Sequence, residues 1–246
     1  MVKRQRYEFI KDDTSNLKKL GYVVEPPTTS LEEFINREFP NLDLLSLLEA
    51  VEKSFTPTTK LPLSRTISIK NVPASLRVKY FNKATNEDDE LVFDREFTKS
   101  GKSIIINHHF CVIPKEYRDK GVIRKVFQES LQQYTNMGAR RILVHAGFSG
   151  GGYVWARYGF VAVRQKEVEK ILEEARKHLS AVDFEPVEHI FRKYYKDSPR
   201  GKAFPIILWA ELNGMKDVLL GSNWHGELNL KNKEQFSNFR DYVFRS

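Results

Sequence analysis

The segment from Val112 to Phe127, VIPKEYRDKGVIRKVF, carries residue types suited to holding a phosphate group. An apolar run ends at Pro114, and an Arg-x-x-Gly turn from Arg118 to Gly121 precedes residues with helical spacing. The first N–H groups of a helix have no acceptor inside it, and its dipole favours negative charge there. Glycine at the turn lets a ligand approach the main chain closely. Basic side chains surround this predicted helix start: Arg118, Lys120, Arg124 and Lys125.

Two adjacent histidines, His108 and His109, precede this turn on a predicted strand. Imidazole has a pKa of about 6.5, which suits it to take a proton from an amine. Side chains alternate along a strand, so we expect one histidine on each face, and one of them could face a cleft as a general base. A hydrogen-bonded core position is the alternative for each, and His145 on the next strand has the same two interpretations. Without Cys or carboxylates in metal spacing, these histidines do not predict a metal site.

Composition narrows the class of protein. The chain has 246 residues, 41% of them hydrophobic and 12% aromatic, which excludes disorder throughout. Cys111 is the single cysteine, so internal disulfides are excluded and a reducing, cytoplasmic compartment is expected. An apolar-flanked lone cysteine is usually a small core residue rather than a nucleophile. No apolar run approaches the roughly 18 residues of a membrane span, so neither secretion nor membrane insertion is predicted.

The net charge is positive, but the basic residues are dispersed along the chain. Lys and Arg number 40 against 32 Asp and Glu, a formal net charge of +8. This favours anionic ligands. Because the basic residues are spread along the chain, we expect at most weak, non-specific binding to nucleic acid.

The predicted elements begin with helices. Ser30 and Glu33 form a capping-box pattern before a helical segment that runs into the fifties with a break at Pro40. Four period-two runs follow, and the nearly uncharged fourth is expected to be central with both faces covered. These runs are 65–72, 75–81, 90–97 and 103–113.

In the second half of the chain, the spacing of the apolar residues changes several times between helical and strand periods. A helix should run from Val122 and end before Gly138; then come the strand RRILVHAGF, a flexible SGGG connection and a short helix ending at Gly159. Further elements are predicted toward the C-terminus: helices at 165–179 and 186–197, a strand at 203–212, and an amphipathic helix in KEQFSNFRDYVF that packs on the core or on a partner. The pattern predicts a mixed α/β fold.

Two segments resemble the GNAT superfamily of acyl-CoA-dependent N-acyltransferases. The residues Arg118-Asp-Lys-Gly121-Val-Ile123 are similar to its Arg/Gln-x-x-Gly-x-Gly/Ala signature, with Ile123 in place of the small residue. Val-Trp-Ala-Arg-Tyr-Gly-Phe at 154–160 is similar to its aromatic segment ending in Gly-Phe.

The resemblance implies a GNAT-like, mostly antiparallel sheet flanked by helices. It implies an N-terminal helical extension at 1–60, the GNAT-like domain at 61–212 with a helical excursion at 165–200, and a C-terminal cap at 213–246. The implied cosubstrate is acetyl-CoA. The residues implied to bind it are Phe110, Cys111, Val112, Arg118, Lys120, Gly121, Val122, Ile123 and Arg124.

The sequence differs from the family pattern at the position of the catalytic acid, because Trp155 occupies the place of the tyrosine that protonates the leaving thiolate. An indole has no proton that titrates near neutral pH. Tyr153 and Tyr158 flank it, and Tyr153 is the preferred acid because Tyr158 is part of the turn that leads into Gly-Phe. The predicted catalytic residues are Tyr153 as the acid and His109 as the base.

The implied function is N-acyl transfer to an amine-bearing small molecule or protein. The alternative is a GNAT-fold module without turnover that serves in binding or assembly, for instance in a large complex or a virus particle; Ile123, Trp155 and the aromatic-bearing terminal segments favour it. A homo-oligomer or a larger assembly is also among the expected partners. A nucleic-acid binder built on the basic surface is a third interpretation.

Overall fold

Three helices precede the strand meander in the first of two units into which the chain divides, Met1–Arg140 and Arg141–Ser246. The structure, a computed structural model, describes residues 7–26, 30–118, 120–198 and 203–244, with only the backbone of 148–150. The helices are α1 Lys11–Lys19, α2 Leu31–Glu38 and α3 Leu44–Phe55, with the short strand β1 Val23–Glu25 between α1 and α2.

The helix break predicted at Pro40 is confirmed. Ser30 caps α2, its hydroxyl accepting the N–H of Glu33 at 3.2 Å, and Asp43 caps α3 by accepting the N–H of Ser46 at 2.9 Å. The sequence missed α1, which is short and mostly polar, and β1, which pairs in parallel with the following strand.

The predicted meander is also confirmed. It consists of β2 Leu63–Asn71, β3 Ala74–Asn82, β4 Val92–Ser100 and β5 Ser103–Val112, joined in order and antiparallel. Helix α4, Val122–Asn136, follows and ends before Gly138 as predicted. One sheet face forms the core, in which Phe97 contacts Tyr134 of α4 and Phe93 contacts Phe55 of α3.

The expectation that both faces of β5 are covered is wrong. Ile104, Ile106 and His108 are buried, whereas Phe110 is 44% exposed and His109 is half-buried. The outward side chains of the strand include amide, imidazole and aliphatic groups. Such uncharged groups can be partly exposed, so the absence of charge did not indicate that both faces are buried.

The second unit contains three strands, β6 Arg141–Ala146, β7 Val161–Ala162 and β8 Trp224–Asn229, in the order β6-β8-β7 with antiparallel pairing. Its helices are α5 Phe148–Arg157, α6 Gln165–His178, α7 Ala181–Asp197, α8 Ile207–Ala210, α9 Met215–Leu220 and α10 Lys233–Phe244. With the first unit, this confirms the mixed α/β class with a mostly antiparallel arrangement of strands flanked by helices. Helix α7 begins at Ala181 and contains Pro186, so the predicted start at 186 is wrong.

The predicted strand at 203–212 is wrong. Phe204 makes one isolated bridge to Ala162, and Pro205 then offers no N–H for a ladder. The following residues form α8, where the Trp209 indole N–H donates to the Val187 carbonyl at 3.1 Å. A buried apolar run looks the same in a helix as in a strand. Strand β8, which lies inside the predicted C-terminal cap, pairs with β6.

The predicted flexible connection at SGGG is wrong as well, because the glycines belong to α5. A β-carbon on Gly152 would overlap the Leu219 carbonyl oxygen and the Ser222 hydroxyl, so glycine permits close helix packing here. The predicted C-terminal helix is confirmed as α10, and its Phe239 packs on Phe160 of the core at 6.0 Å between ring centroids.

Within the described residues, every helix is too short or too polar to cross a membrane.

Candidate functional site

The start of α4 is an open turn that follows the end of β5. Gly121 precedes the helix with φ +73°, in the left-handed region that favours glycine. It is exposed, and no atom of the described residues lies within 4 Å of a β-carbon built there. No described side chain caps the helix, whose first positions are Val122, Ile123 and Arg124. The Arg124 N–H donates to the Gly121 carbonyl at 3.1 Å, whereas the N–H groups of Val122 and Ile123 have no acceptor among the described residues and are suited to an anion.

The basic residues around this turn have different surroundings. Arg118 Nε donates to the Ile113 carbonyl at 3.2 Å, so Arg118 holds the loop after β5 in place. Lys120 is exposed, with Nζ 5.1 Å from the Tyr117 ring centroid. Arg124 is half-buried on the first turn of α4. Lys120 and Lys125 are thus the exposed cations of this group, and Lys120 directly precedes Gly121.

The end of β5 is bulged. Asp94 pairs with Phe110 and Arg95 with His108, which leaves His109 without a residue opposite it. Cys111 then lies opposite Phe93 of the core and is half-buried. Burial raises the pKa of its thiol, so Cys111 stays protonated and is a poor nucleophile. Val112, the last residue of β5, is also half-buried.

A buried arginine supports this bulge, and the sequence analysis missed it. Arg95 is fully buried, and its Nη1 donates to the carbonyls of Asp94 at 2.9 Å and Phe110 at 2.6 Å. The signal was present in the sequence, because alternation places Arg95 on the same face as Phe93 and Phe97.

The two adjacent histidines take opposite faces, as alternation predicts. His108 is buried, with Nε2 2.8 Å from the Tyr134 hydroxyl. Burial, together with the nearby Arg95 charge, holds the pKa of His108 well below its usual value, so this ring is a neutral core residue. His109 is half-buried on the other face, with Nε2 3.0 Å from Glu96 Oε2. Of the two, His109 is the one with a chemically available ring.

The aromatic residues of α5 belong to the second unit and separate into two groups. Trp155 packs on Phe160 at 5.0 Å, and the buried Tyr158 packs on Tyr242 at 4.4 Å between ring centroids. These side chains contribute to the core. Tyr153 is half-buried, with Lys216 Nζ 5.9 Å from its ring centroid. Tyr153 thus has a less enclosed side chain than Tyr158.

A polar cluster in the second unit was not anticipated. His225 Nδ1 lies 2.7 Å from Glu167 Oε1, and the backbone N–H of His225 donates to Oε2 of the same carboxylate at 2.7 Å. The ring stacks on His145 at 4.4 Å, and His145 Nε2 lies 2.5 Å from Asn223 Oδ1. Burial alone raises the pKa of Glu167, but the hydrogen bonds from His225 outweigh it and leave that pKa below its usual value.

The cluster was missed because 58 residues separate Glu167 from His225. His225 also lies in the segment predicted to be a terminal cap. In the part of the chain that the structure describes, no three metal-ligating side chains come together, here or elsewhere.

Comparison with known proteins gives one partial similarity. No protein-family model matches the sequence, and no curated protein matches it. Among solved structures, the chain is similar to a GNAT family acetyltransferase from Elizabethkingia anophelis with acetyl-CoA bound, at 12% identity and a TM-score of 0.26. The similarity covers 37% of this chain and 56% of that chain.

Proposed function

We propose that the chain is an acyl-CoA-dependent N-acyltransferase that transfers an acetyl group from acetyl-CoA to an amine. The observation that carries this proposal is the open turn at Gly121, which directly precedes α4 and follows β5. In the proposal, the N–H groups of Val122 and Ile123 at the start of α4 bind the pyrophosphate, with Lys120 supplying positive charge. Backbone donors at a helix start, together with the helix dipole, suit this role.

The pantetheine arm is proposed to follow the end of β5. Its amide groups would meet the backbone of Phe110, Cys111 and Val112, and the exposed ring of Phe110 offers an apolar contact. Binding both substrates in one orientation would supply much of the rate enhancement, because it makes their encounter intramolecular.

The chemistry consists of one addition and one elimination. The amine nitrogen attacks the thioester carbonyl, the C–S bond breaks, and the products are an amide and the CoA thiol. His109 is the proposed base that takes the amine proton. If Glu96 accepts the proton on Nε2, the lone pair of His109 lies on Nδ1. The sequence prediction that Tyr153 protonates the thiolate stays a prediction.

A binding or assembly module without turnover is the second candidate. Trp155 favours it, because the residue at the usual position of the acid packs against Phe160 and Tyr158. Such a module could retain the turn at Gly121 without using it in catalysis.

The test is release of CoA thiol from acetyl-CoA by the purified chain, with polyamines, aminoglycosides and peptides as acceptors. We expect release with one of these amine classes, and a loss of at least about tenfold in kcat for Tyr153→Phe with CoA affinity unchanged. Tyr195→Phe, which removes a hydroxyl elsewhere in the same unit, is the matched control. Binding of CoA without release above the uncatalysed rate would favour the module.

A further inference from the structure

Arg95 is a buried cation that no carboxylate of the described residues contacts. The neighbouring carboxylate, Asp94, instead receives Arg77 Nε at 2.8 Å and Arg77 Nη2 at 2.7 Å. Arg95 Nε and Nη2 are buried without a well-formed hydrogen bond among the described residues, and the nearby Tyr134 hydroxyl and Cys111 thiol supply no counter-charge. Burying a charge without a counter-charge costs several kcal/mol unless other groups compensate. Stability alone is therefore a poor reason for an arginine at this position.

What compensates the charge is concentrated at the bulge of β5. Nη1 donates to the Asp94 and Phe110 carbonyls, and the guanidinium carbon lies 4.4 Å from the Phe93 ring centroid and 6.0 Å from that of Phe127. In a regular antiparallel ladder, a strand carbonyl accepts from an amide of the facing strand. Here the Arg95 side chain, on β4, donates to the Phe110 carbonyl and holds it at the bulge.

The bulge decides which side chains of β5 face outward. Adding one residue to one strand reverses the inward and outward alternation beyond that point. With His109 as the extra residue, His109 and Phe110 are both partly exposed, while Cys111 lies opposite the buried Phe93. A regular strand would send His109 and Phe110 to opposite faces.

We propose that Arg95 is a positioning residue, which holds the end of β5 in the conformation that receives the pantetheine arm of acyl-CoA. This inference rests on the proposed function. A guanidinium suits the role because its planar fork directs several N–H groups at fixed angles, whereas a lysine ammonium is a point charge on a flexible stem.

The test separates the two halves of CoA. Binding of CoA and of 3′-phosphoadenosine 5′-diphosphate, which lacks pantetheine, is measured by calorimetry for the wild type, Arg95→Met and Arg95→Lys. We expect Arg95→Met to weaken CoA binding at least about tenfold and nucleotide binding less than about twofold, with Arg95→Lys between wild type and Met. If Arg95→Met does not fold, Arg95→Lys carries the comparison.

Val78→Ala is the matched control, because Val78 is a buried residue directly opposite Arg95 in the sheet. It loosens the same core without removing the contact to Phe110, so its CoA-to-nucleotide affinity ratio should equal that of the wild type. An unchanged ratio in the Arg95 variants, or the same change in Val78→Ala, would overturn the inference and leave the proposed function standing. A wild type that binds neither ligand would remove both.

Discussion

His109 in the first unit and His225 in the second each meet a glutamate, but the two imidazoles are held to different degrees. His109 has one described contact, from Nε2 to Glu96 Oε2 at 3.0 Å, across neighbouring strands. His225 is held through its ring and its backbone by both oxygens of Glu167, and it stacks on His145 as well. The same two residue types thus form a pair with a single contact in one unit and a pair with several contacts in the other, at similar exposure.

Under the proposed function, this difference favours a chemical role for the His109 pair and a structural role for the His225 pair. Glu167 lies on α6 and His225 on β8, so their pair ties a strand to the helix that covers part of it. A base has to accept and release a proton during each cycle, which changes the hydrogen bonds around its ring. The pair with a single contact is better suited to this than the pair with three.

The largest expected effect is on turnover, and it depends on the proposed acyl transfer. His109→Gln should lower kcat by about 10²- to 10⁴-fold, the usual contribution of a general base. His225→Gln should keep kcat within about threefold of the wild type. The measurement is the rate of CoA thiol release at saturating acetyl-CoA. The opposite order of the two variants would assign the base to His225 and reverse the comparison.

A smaller effect is expected on stability. Glu167→Gln should lower the free energy of unfolding by about 1–3 kcal/mol, because it weakens two charge-assisted hydrogen bonds of a mostly buried carboxylate. Glu96→Gln should cost less than about 1 kcal/mol, because Glu96 makes a single described contact to His109, whereas the exposure of the two pairs is similar. Urea unfolding of the three proteins measures the differences. Equal losses would show that the two pairs are equally structural.

The contrast also shows which features of the fold and the site could be predicted from the sequence alone. The strands β2–β5, the helix α4 and the opposite orientations of His108 and His109 follow from local periodicity, and all were predicted. The Glu167–His225 pair depends on tertiary contacts between segments far apart in the chain. Strand β8, WHGELN, is short and largely polar, while the apolar run at 203–212 was the more conspicuous pattern and contains the short helix α8 instead of a strand.

The bulge next to Arg95 could be predicted from the sequence only in part. Alternation places an arginine between Phe93 and Phe97 on the apolar face, which is visible in the sequence. The shift of register between Asp94 and Arg95 is not visible there, because it is a property of how β4 pairs with β5. Irregular backbone of this kind cannot be read from a period-two pattern.

The most direct test of acyl-CoA binding at the start of α4 is calorimetric titration of CoA into the wild type, Gly121→Asp and Gly121→Asn. Both side chains tolerate a left-handed backbone, and the described surroundings leave room for either, so the two variants differ mainly in charge. We expect Gly121→Asn to bind CoA within about threefold of the wild type, and Gly121→Asp to bind at least about tenfold more weakly than Gly121→Asn, about 1.4 kcal/mol. A wild type that does not bind CoA, or equal affinities for the two variants, would contradict a pyrophosphate site at this turn.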